Sequence, residues 1–232
     1  MKIIFLNVWS GKLREPIAKF LHDEARDTDI FCLQEVYVET KPFVRDCLPG
    51  FHEVAASKPM AFSTNFFGQA IYVKPHLPIL QSAALLEDEN EIGLGLSAHV
   101  RFGEEDVHVC NFHGLTFVTD DDKLDSPTRL LQSRKLIESF EGRSGIKIIG
   151  GDFNILPQAE SIRMFEKNGY RDLIKEFDIK STRSRIALEK YPGHEEYFSD
   201  YVFVSSETRV KNFSVPNVEI SDHLPLVLEI EI

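Results

Sequence analysis

The segment Ile146–Pro157, IKIIGGDFNILP, constrains this chain more than any other. Ile146, Ile148 and Ile149 make a short β-branched run that predicts a buried strand. Gly150 and Gly151 then let the backbone leave a sheet without steric cost. Asp152 and Asn154 follow with Phe153 between them. If the chain is still extended there, residues two apart face the same side, so a carboxylate and an amide address one spot at the strand's end while Phe153 turns into the core. A carboxylate beside a neutral amide can orient a water and a phosphoryl oxygen together, which suits hydrolysis. The same residues also fit an Asx-turn in which they bond only their own backbone. The segment alone leaves both open, and the choice rests on the rest of the chain.

Other apolar runs end in the same way. Asn7 closes KIIFLN, Glu35 closes IFCLQE and His113 closes VCNFH. Asp200 interrupts YFSDYVFV, and Asp222-His223 precedes LPLVLEI. Each has an ordinary alternative: a turn Asn, a helix-capping Glu, a core His, an edge Asp, a turn before the last strand. Taken together these are hard to sustain, because carboxylates in otherwise apolar strands are rarely buried without partners. Convergence of the strand ends on one cation and one anion explains them jointly.

Between these ends the pattern alternates strands and helices. Helices are expected over Glu15–Arg26 with Pro16 in the first turn, over Thr40–Leu48, from Ser126-Pro127 to Gly142 with Leu130, Ile137 and Phe140 inward, and over Gln158–Lys167. Strands are expected at Lys2–Asn7, Asp29–Leu33, Phe51–Ala55, Phe66–Val73, Ile79–Leu86, Leu94–Phe102, Val107–Phe112, Ile146–Ile149, Tyr197–Val204, Thr208–Val215 and Leu224–Ile232. The run from Phe51 to Phe112 has gaps too short for crossover helices and reads as antiparallel. Lys180–Glu196, with Arg183, Arg185, Lys190 and His194, reads as a surface loop. About eleven strands and four helices give an α/β (α+β) chain of two stacked sheets with helices outside. The 232 residues, 43% hydrophobic and without a linker, suit one domain spanning 1–232.

A net charge of −11 gives no general basic footprint for nucleic acid, though a bound divalent cation can supply local positive charge where phosphate docks. Cys32, Cys47 and Cys110 lack CxxC spacing and predict buried thiols in a reducing compartment, so the expected address is the cytoplasm. The amino terminus reads as a first strand without a signal-peptide cleavage site, and no apolar segment approaches the roughly 18 residues of a membrane span. No protein partner can be read from the sequence.

LNVW, LQEV, NFHG, GGDFNILP, FSDYVFVS and ISDHLP occur in the order found in the endonuclease/exonuclease/phosphatase superfamily, which this chain resembles from Asn7 to Pro225. The resemblance implies a four-layer sandwich, two mostly antiparallel β-sheets flanked by helices, with the site on one edge. It implies hydrolysis of phosphate esters with Mg²⁺, for which Mn²⁺ can substitute. Carried over by position, Glu35 would be the main metal ligand, with Asn7 beside it and Asp222 nearby. Asp152 would activate or orient the attacking water, and Asn154 would hold that water or the phosphate. Asp200 would orient and charge His223, and His113 would contact the phosphate or protonate the leaving oxygen. Whether Asp152 or His223 takes the proton is left open.

Departures narrow the expectation. Trp9 stands where abasic-site endonucleases that resemble exonuclease III carry Asp or Asn, and His113 where they carry Tyr. Ser199-Asp200-Tyr201 replaces the Cys-Asp-Arg of inositol polyphosphate 5-phosphatases. The His113 arrangement is similar to deoxyribonuclease, sphingomyelinase, deadenylase and tyrosyl-DNA phosphodiesterase relatives. The leading expectation is therefore a phosphodiesterase or phosphatase on a small or single-stranded substrate. A DNA or RNA nuclease is the alternative, and an inactive binding protein a third reading, opposed by the complete residue set. The acidic run Asp120–Asp122 is expected in a loop near the site.

Overall fold

The computed structural model describes residues 1–59, 66–87, 93–115, 123–190 and 196–232. The first half runs β1 (Lys2–Asn7), α1 (Arg14–Ala25), β2 (Ile30–Gln34), α2 (Lys41–Cys47), β3 (His52–Pro59), β4 (Phe66–Val73), β5 (Ile79–Leu85), β6 (Leu94–Phe102) and β7 (Glu105–His113). The second half runs α3 (Pro127–Glu138), β8 (Ile146–Asp152), α4 (Glu160–Lys167), β9 (Tyr170–Asp172), α5 (Leu173–Glu176), α6 (Arg185–Lys190), β10 (Asp200–Ser205), β11 (Val210–Ser214) and β12 (Leu226–Ile230).

Two six-stranded sheets result, ordered β11-β12-β1-β2-β4-β3 and β5-β6-β7-β8-β10-β9. Only β1/β2 and β7/β8 pair in parallel among the described strands. In each of these pairs a helix, α1 or α3, lies between the two strands and supplies the crossover that parallel pairing requires. The remaining pairs are antiparallel, including the hairpins of the Phe51–Phe112 stretch.

The sheets pack face to face, and the alternation within β1 shows how. Ile3 and Phe5 join the core that also holds Cys32, Ile71, Val109, Cys110 and Ile149. Ile4 and Leu6 point the other way, against Ile17 and Leu21 of α1 and Val44 of α2. Both faces of the strand are covered, which is why its sequence is continuously apolar. Beyond the second sheet, Leu136 and Ile137 of α3 and Ile162 and Phe165 of α4 close the same core. Buried amides bridge the sheets: Gln34 Nε2 donates to Asn111 Oδ1 at 2.5 Å, Asn111 Nδ2 donates to the Leu33 and Ala70 carbonyls at 2.9 and 3.2 Å, and Gln69 Nε2 donates to the Leu94 carbonyl. Donating across the interface from buried positions, these amides fix how one sheet sits on the other just below the edge where β2 ends.

The four-layer sandwich is as the sequence implied, with three local corrections. The described residues hold twelve strands and six α-helices, because the three-residue β9, the four-residue α5 and α6 are too short for periodicity to register. The expected loop Lys180–Glu196 contains α6, and Thr182 and Ser184 are fully buried. Ile137 and Phe140 are buried as expected, but Leu130 is only half-buried, and α3 turns Arg129, Gln132, Ser133 and Leu136 inward as well. Its amino terminus is as expected: Ser126 Oγ accepts the Arg129 N–H at 3.1 Å, with Pro127 in the first turn. The run Asp120–Asp122 and His194 lie outside the described residues.

Candidate active site

Strand register brings the polar strand ends to one edge. The parallel β1/β2 pair sets Asn7 beside Gln34, so Glu35 emerges next to Asn7. The parallel β7/β8 pair sets His113 beside Asp152, and antiparallel β10 sets Asp200 on the other side of Asp152. Asp222 and His223 arrive on the turn before β12, which is pinned to the end of β1 by a 2.7 Å hydrogen bond from Ser221 Oγ to the Asn7 carbonyl. Asp200 does not interrupt a strand; it opens β10. Just before it, the Ser199 carbonyl leaves the ladder to accept the N–H groups of Phe153 and Asn154 at 2.8 and 3.2 Å.

Two glycines make this packing possible. A Cβ on Gly150 would lie 2.8 Å from the Phe5 ring, across the sheet interface. Gly151 has φ +130°, and a Cβ there would lie 2.1 Å from the Phe112 carbonyl oxygen. Asp152 therefore follows a residue that only glycine can be.

Asp152 is the hub. Its Oδ1 accepts from Ser199 Oγ at 2.6 Å and from the Asn154 N–H at 3.0 Å, and its Oδ2 accepts from Asn7 Nδ2 at 3.1 Å. His113 Nε2 and His223 Nε2 lie 3.7 and 3.6 Å from Oδ2. Burial alone would raise this carboxyl's pKa, but His223, His113, the Ser199 hydrogen bond and Arg183 outweigh it and hold the pKa well below the usual carboxylate range. The Asx-turn and the site are thus both present in one residue. Asn154 is not extended: at φ +55° it has turned, and its Nδ2 donates to the Gly114 carbonyl at 3.3 Å. His113 is 2% exposed, and its Nδ1 has no hydrogen-bond partner. Phe67 packs edge-on against its ring at 5.3 Å between centroids.

Asp200 and Asp152 face each other directly across β10 and β8, a like-charge pairing that costs stability, and the His223 ring stands between them. Its Nδ1 donates to both Asp200 oxygens at 2.9 Å, leaving Nε2 toward Asp152. Burial, the largest influence, and then Arg183 pull the His223 pKa down, but Asp200 and Asp152 together outweigh them and the net direction is up. For Asp200 burial dominates and the pKa is raised. The ligand-type atoms of Asp152, Asp200 and His223 lie within 4.8 Å of one another.

Sequence patterning missed four participants. Arg183 Nη1 contacts His223 Nε2, and its Nη2 lies 3.4 Å from Asp222 Oδ2. Thr182 Oγ1 accepts the backbone N–H groups of Ser199 and Asp200 at 3.0 and 3.1 Å. Ser199 holds Asp152, and Ser10 Oγ donates to Glu35 Oε2 at 2.8 Å. The only available signal was position, since Ser199 immediately precedes Asp200 and Ser10 lies three residues beyond Asn7.

Glu35 stands at the rim in a left-handed conformation, φ +57°, with Trp9 and Ser10 also at positive φ, +45° and +56°. Three such residues around one carboxylate mark a strained turn of the kind found at functional sites. Asn7 Nδ2 lies between two carboxylates, 3.2 Å from Glu35 Oε1 and 3.1 Å from Asp152 Oδ2, while Asn7 Oδ1 receives the Trp9 N–H at 2.9 Å. Carboxylate oxygens of this kind suit a hard divalent cation, but the described cluster close enough to share one ion is Asp152, Asp200 and His223, without Glu35 or Asp222. As oriented here, Asn7 turns its NH₂ to the carboxylates and its oxygen to Trp9.

The model of the Endonuclease/Exonuclease/phosphatase family matches residues 4–223, a span that contains all eight strand-end residues. The chain belongs to this family. Solved structures agree on the fold. An endonuclease/exonuclease/phosphatase from Bacteroides vulgatus superposes with a TM-score of 0.80 at 16% identity, covering 100% of this chain and 98% of that one. The mannosyl-6-phosphatase Bt3783 of Bacteroides thetaiotaomicron gives 0.79 at 17% identity over 100% of both chains. The human Nocturnin catalytic domain with bound sulfate gives 0.74 at 18% identity, covering 100% of this chain and 93% of that one. A search of curated proteins finds no match. No helix among the described residues is long and apolar enough to cross a membrane.

Proposed function

We propose that this chain is a single catalytic domain, residues 1–232, that hydrolyses phosphate esters as a divalent-metal-dependent phosphodiesterase or phosphatase. The observation that carries the reading is the buried Asp200–His223 hydrogen bond, 2.9 Å long, whose other ring nitrogen faces Asp152 on the edge that also bears Glu35. Mg²⁺, or Mn²⁺ in its place, would be held by Glu35 with Asp222 and Asn7 beside it, and would neutralise charge on the phosphoryl oxygens. In line with the ester bond, a water oxygen attacks phosphorus, the bond to the leaving oxygen breaks, and a proton passes from the water while another reaches the leaving group.

The chain's own groups suit these tasks. Asp152, with its depressed pKa, stays ionised and orients the attacking water, and Asn154 beside it holds that water or the phosphate. Asp200 keeps Nδ1 of His223 protonated, so Nε2 is the atom that meets the phosphoryl group or the water proton. His113 Nδ1, buried and unpartnered, is available to a phosphate oxygen or to the leaving oxygen. A degenerate binding protein would not need all eight of these side chains.

A net charge of −11 supports a small or single-stranded substrate over duplex DNA. A nuclease reading stands second and would need local basic contacts that overcome this charge. Three buried free cysteines support a reducing, cytoplasmic address. The test is a screen of the purified protein with Mg²⁺ against phosphomonoesters, phosphodiesters and oligonucleotides. Turnover of a small ester is expected; failure to turn over any of them would favour a binding protein.

A further inference from the structure

Arg183 is fixed in the cleft from both sides. The Thr182 N–H donates to the Tyr197 carbonyl at 2.8 Å, and the Thr182 carbonyl accepts the Leu224 N–H at 2.8 Å. The Ser184 N–H donates to the Asp222 carbonyl at 3.1 Å, and Ser184 Oγ to the Ser221 carbonyl at 2.7 Å. Between these two buried residues Arg183 forms an isolated antiparallel bridge with His223. The backbone thus ties the guanidinium to the catalytic turn, and the side chain is only 10% exposed. This segment is built into the site, although its composition reads as a solvated loop.

The partners of the guanidinium match a buried cation poorly. Its Asp222 contact is 3.4 Å, at the long end of a hydrogen bond, and its other partner is a ring nitrogen. Guanidinium only donates, so it takes the Nε2 lone pair that Asp200 leaves free. That nitrogen is the one that must meet the phosphoryl group. Arg183 and substrate therefore want the same place, and the conflict disappears if the guanidinium transfers to the substrate. The surrounding carboxylates of Glu35, Asp152, Asp200 and Asp222 would otherwise repel an anion. The non-bridging oxygens of a phosphoryl group match the planar donor fork far better than one imidazole nitrogen does.

We infer that Arg183 is the substrate's phosphoryl ligand, shifting from His223 Nε2 to the non-bridging oxygens. It tilts this site toward terminal phosphomonoesters, whose dianion gains more from a fixed guanidinium than the single charge of a diester. The inference rests on the hydrolase reading above, and a binding measurement separates the two.

Inorganic phosphate is titrated calorimetrically into the Mg²⁺-supplemented wild type, Arg183→Gln and Arg183→Lys, with melting temperatures recorded for each. The glutamine variant should bind phosphate roughly tenfold to a hundredfold more weakly. The lysine variant should fall between, because it keeps the charge and loses the fork. On p-nitrophenyl phosphate and bis(p-nitrophenyl) phosphate, Arg183→Gln should lower kcat/KM more for the monoester, and added guanidinium ion should restore part of the activity of Arg183→Ala. Wild-type phosphate affinity in a folded Arg183→Gln overturns the inference, as do equal losses on the two esters. If the glutamine variant does not fold, the lysine variant decides by the same comparison. A wild type that binds phosphate but turns over nothing in the substrate screen would count against the hydrolase reading, and the phosphate titration would still decide the role of Arg183.

Discussion

Replacing Asp200 by Asn separates catalysis from stability. The carboxylate takes the His223 Nδ1–H on both oxygens at 2.9 Å, and Asp200 is 1% exposed. Breaking a buried ion pair commonly costs about 3–5 kcal/mol, because the surviving charge is stranded. Here that cost should be much smaller. Burial raises the Asp200 pKa despite His223, so its ionised form is a net liability, and Asp152 stands directly opposite it. Asn keeps one oxygen to accept the Nδ1–H and removes the repulsion, so the stability change should stay under about 2 kcal/mol in either direction. Activity should behave differently. Without the carboxylate, His223 loses one of the two influences that raise its pKa, and the pH–rate limb it governs moves to lower pH. A positioned acid–base group is worth roughly 10²–10⁴ in rate, so kcat of Asp200→Asn and of His223→Ala should each fall by that order. The double variant should be little worse than the worse single, since the pair acts as a unit. The assay is kcat and KM on the best substrate of the screen, with thermal melts of every variant. Fully multiplicative losses would show that the two residues act separately, and near-normal turnover by His223→Ala would refute the mechanism.

Three further outcomes follow from particular contacts. Gly151→Ala places a Cβ 2.1 Å from a backbone oxygen at φ +130°, a clash no rotamer relieves, so it should cost about 3 kcal/mol or more; a wild-type melting temperature would contradict this. Asp172 caps α5, its Oδ1 accepting the Ile174 and Lys175 N–H groups at 2.9 and 3.3 Å, and burial pushes its pKa up to about 6. The folded pKa exceeds the unfolded value, so the folded state loses stability as pH rises from about 4 through 6, by about 2–3 kcal/mol in all. Asp172→Asn keeps the cap and should stabilise at pH 8 but not at pH 4; equal shifts at both would count against it. With a net charge of −11, duplex DNA should bind weakly even at low salt, and tight binding whose log K falls by about 0.9 per phosphate contact against log salt would promote the nuclease reading.

The strand ends were legible because each apolar run stops on a side chain that strand propensity disfavours, and register then places those ends together. Gaps too short for crossover helices likewise exposed the antiparallel pairs β3/β4, β5/β6 and β6/β7, though not the passage from one sheet to the other between β4 and β5. Arg183 was hidden for the opposite reason: the stretch 180–190 is mostly polar, and its burial comes from backbone bonds to the turns at 197–199 and 221–224 that no local pattern encodes. Asn154 was placed on the right edge by an imperfect argument, because its amide reaches the site through a left-handed turn and not an extended strand. Asp200 likewise looked like an interruption, since Tyr197 and Phe198 have strand composition while Ser199 spends its carbonyl on Phe153 and Asn154.

Glu35 offers the most direct test of a metal-assisted site at this edge. Its two oxygens accept from Asn7 Nδ2 at 3.2 Å and Ser10 Oγ at 2.8 Å, and a Gln in its place keeps the shape but only one acceptor and no charge. Initial rate is measured against Mg²⁺ concentration for the wild type and Glu35→Gln, with melts in chelator to verify the fold. The Mg²⁺ dependence of the variant should shift by more than about tenfold to higher concentration, with a lower plateau and an unchanged melt in chelator. Superimposable curves, or a wild-type rate indifferent to Mg²⁺, would contradict the account.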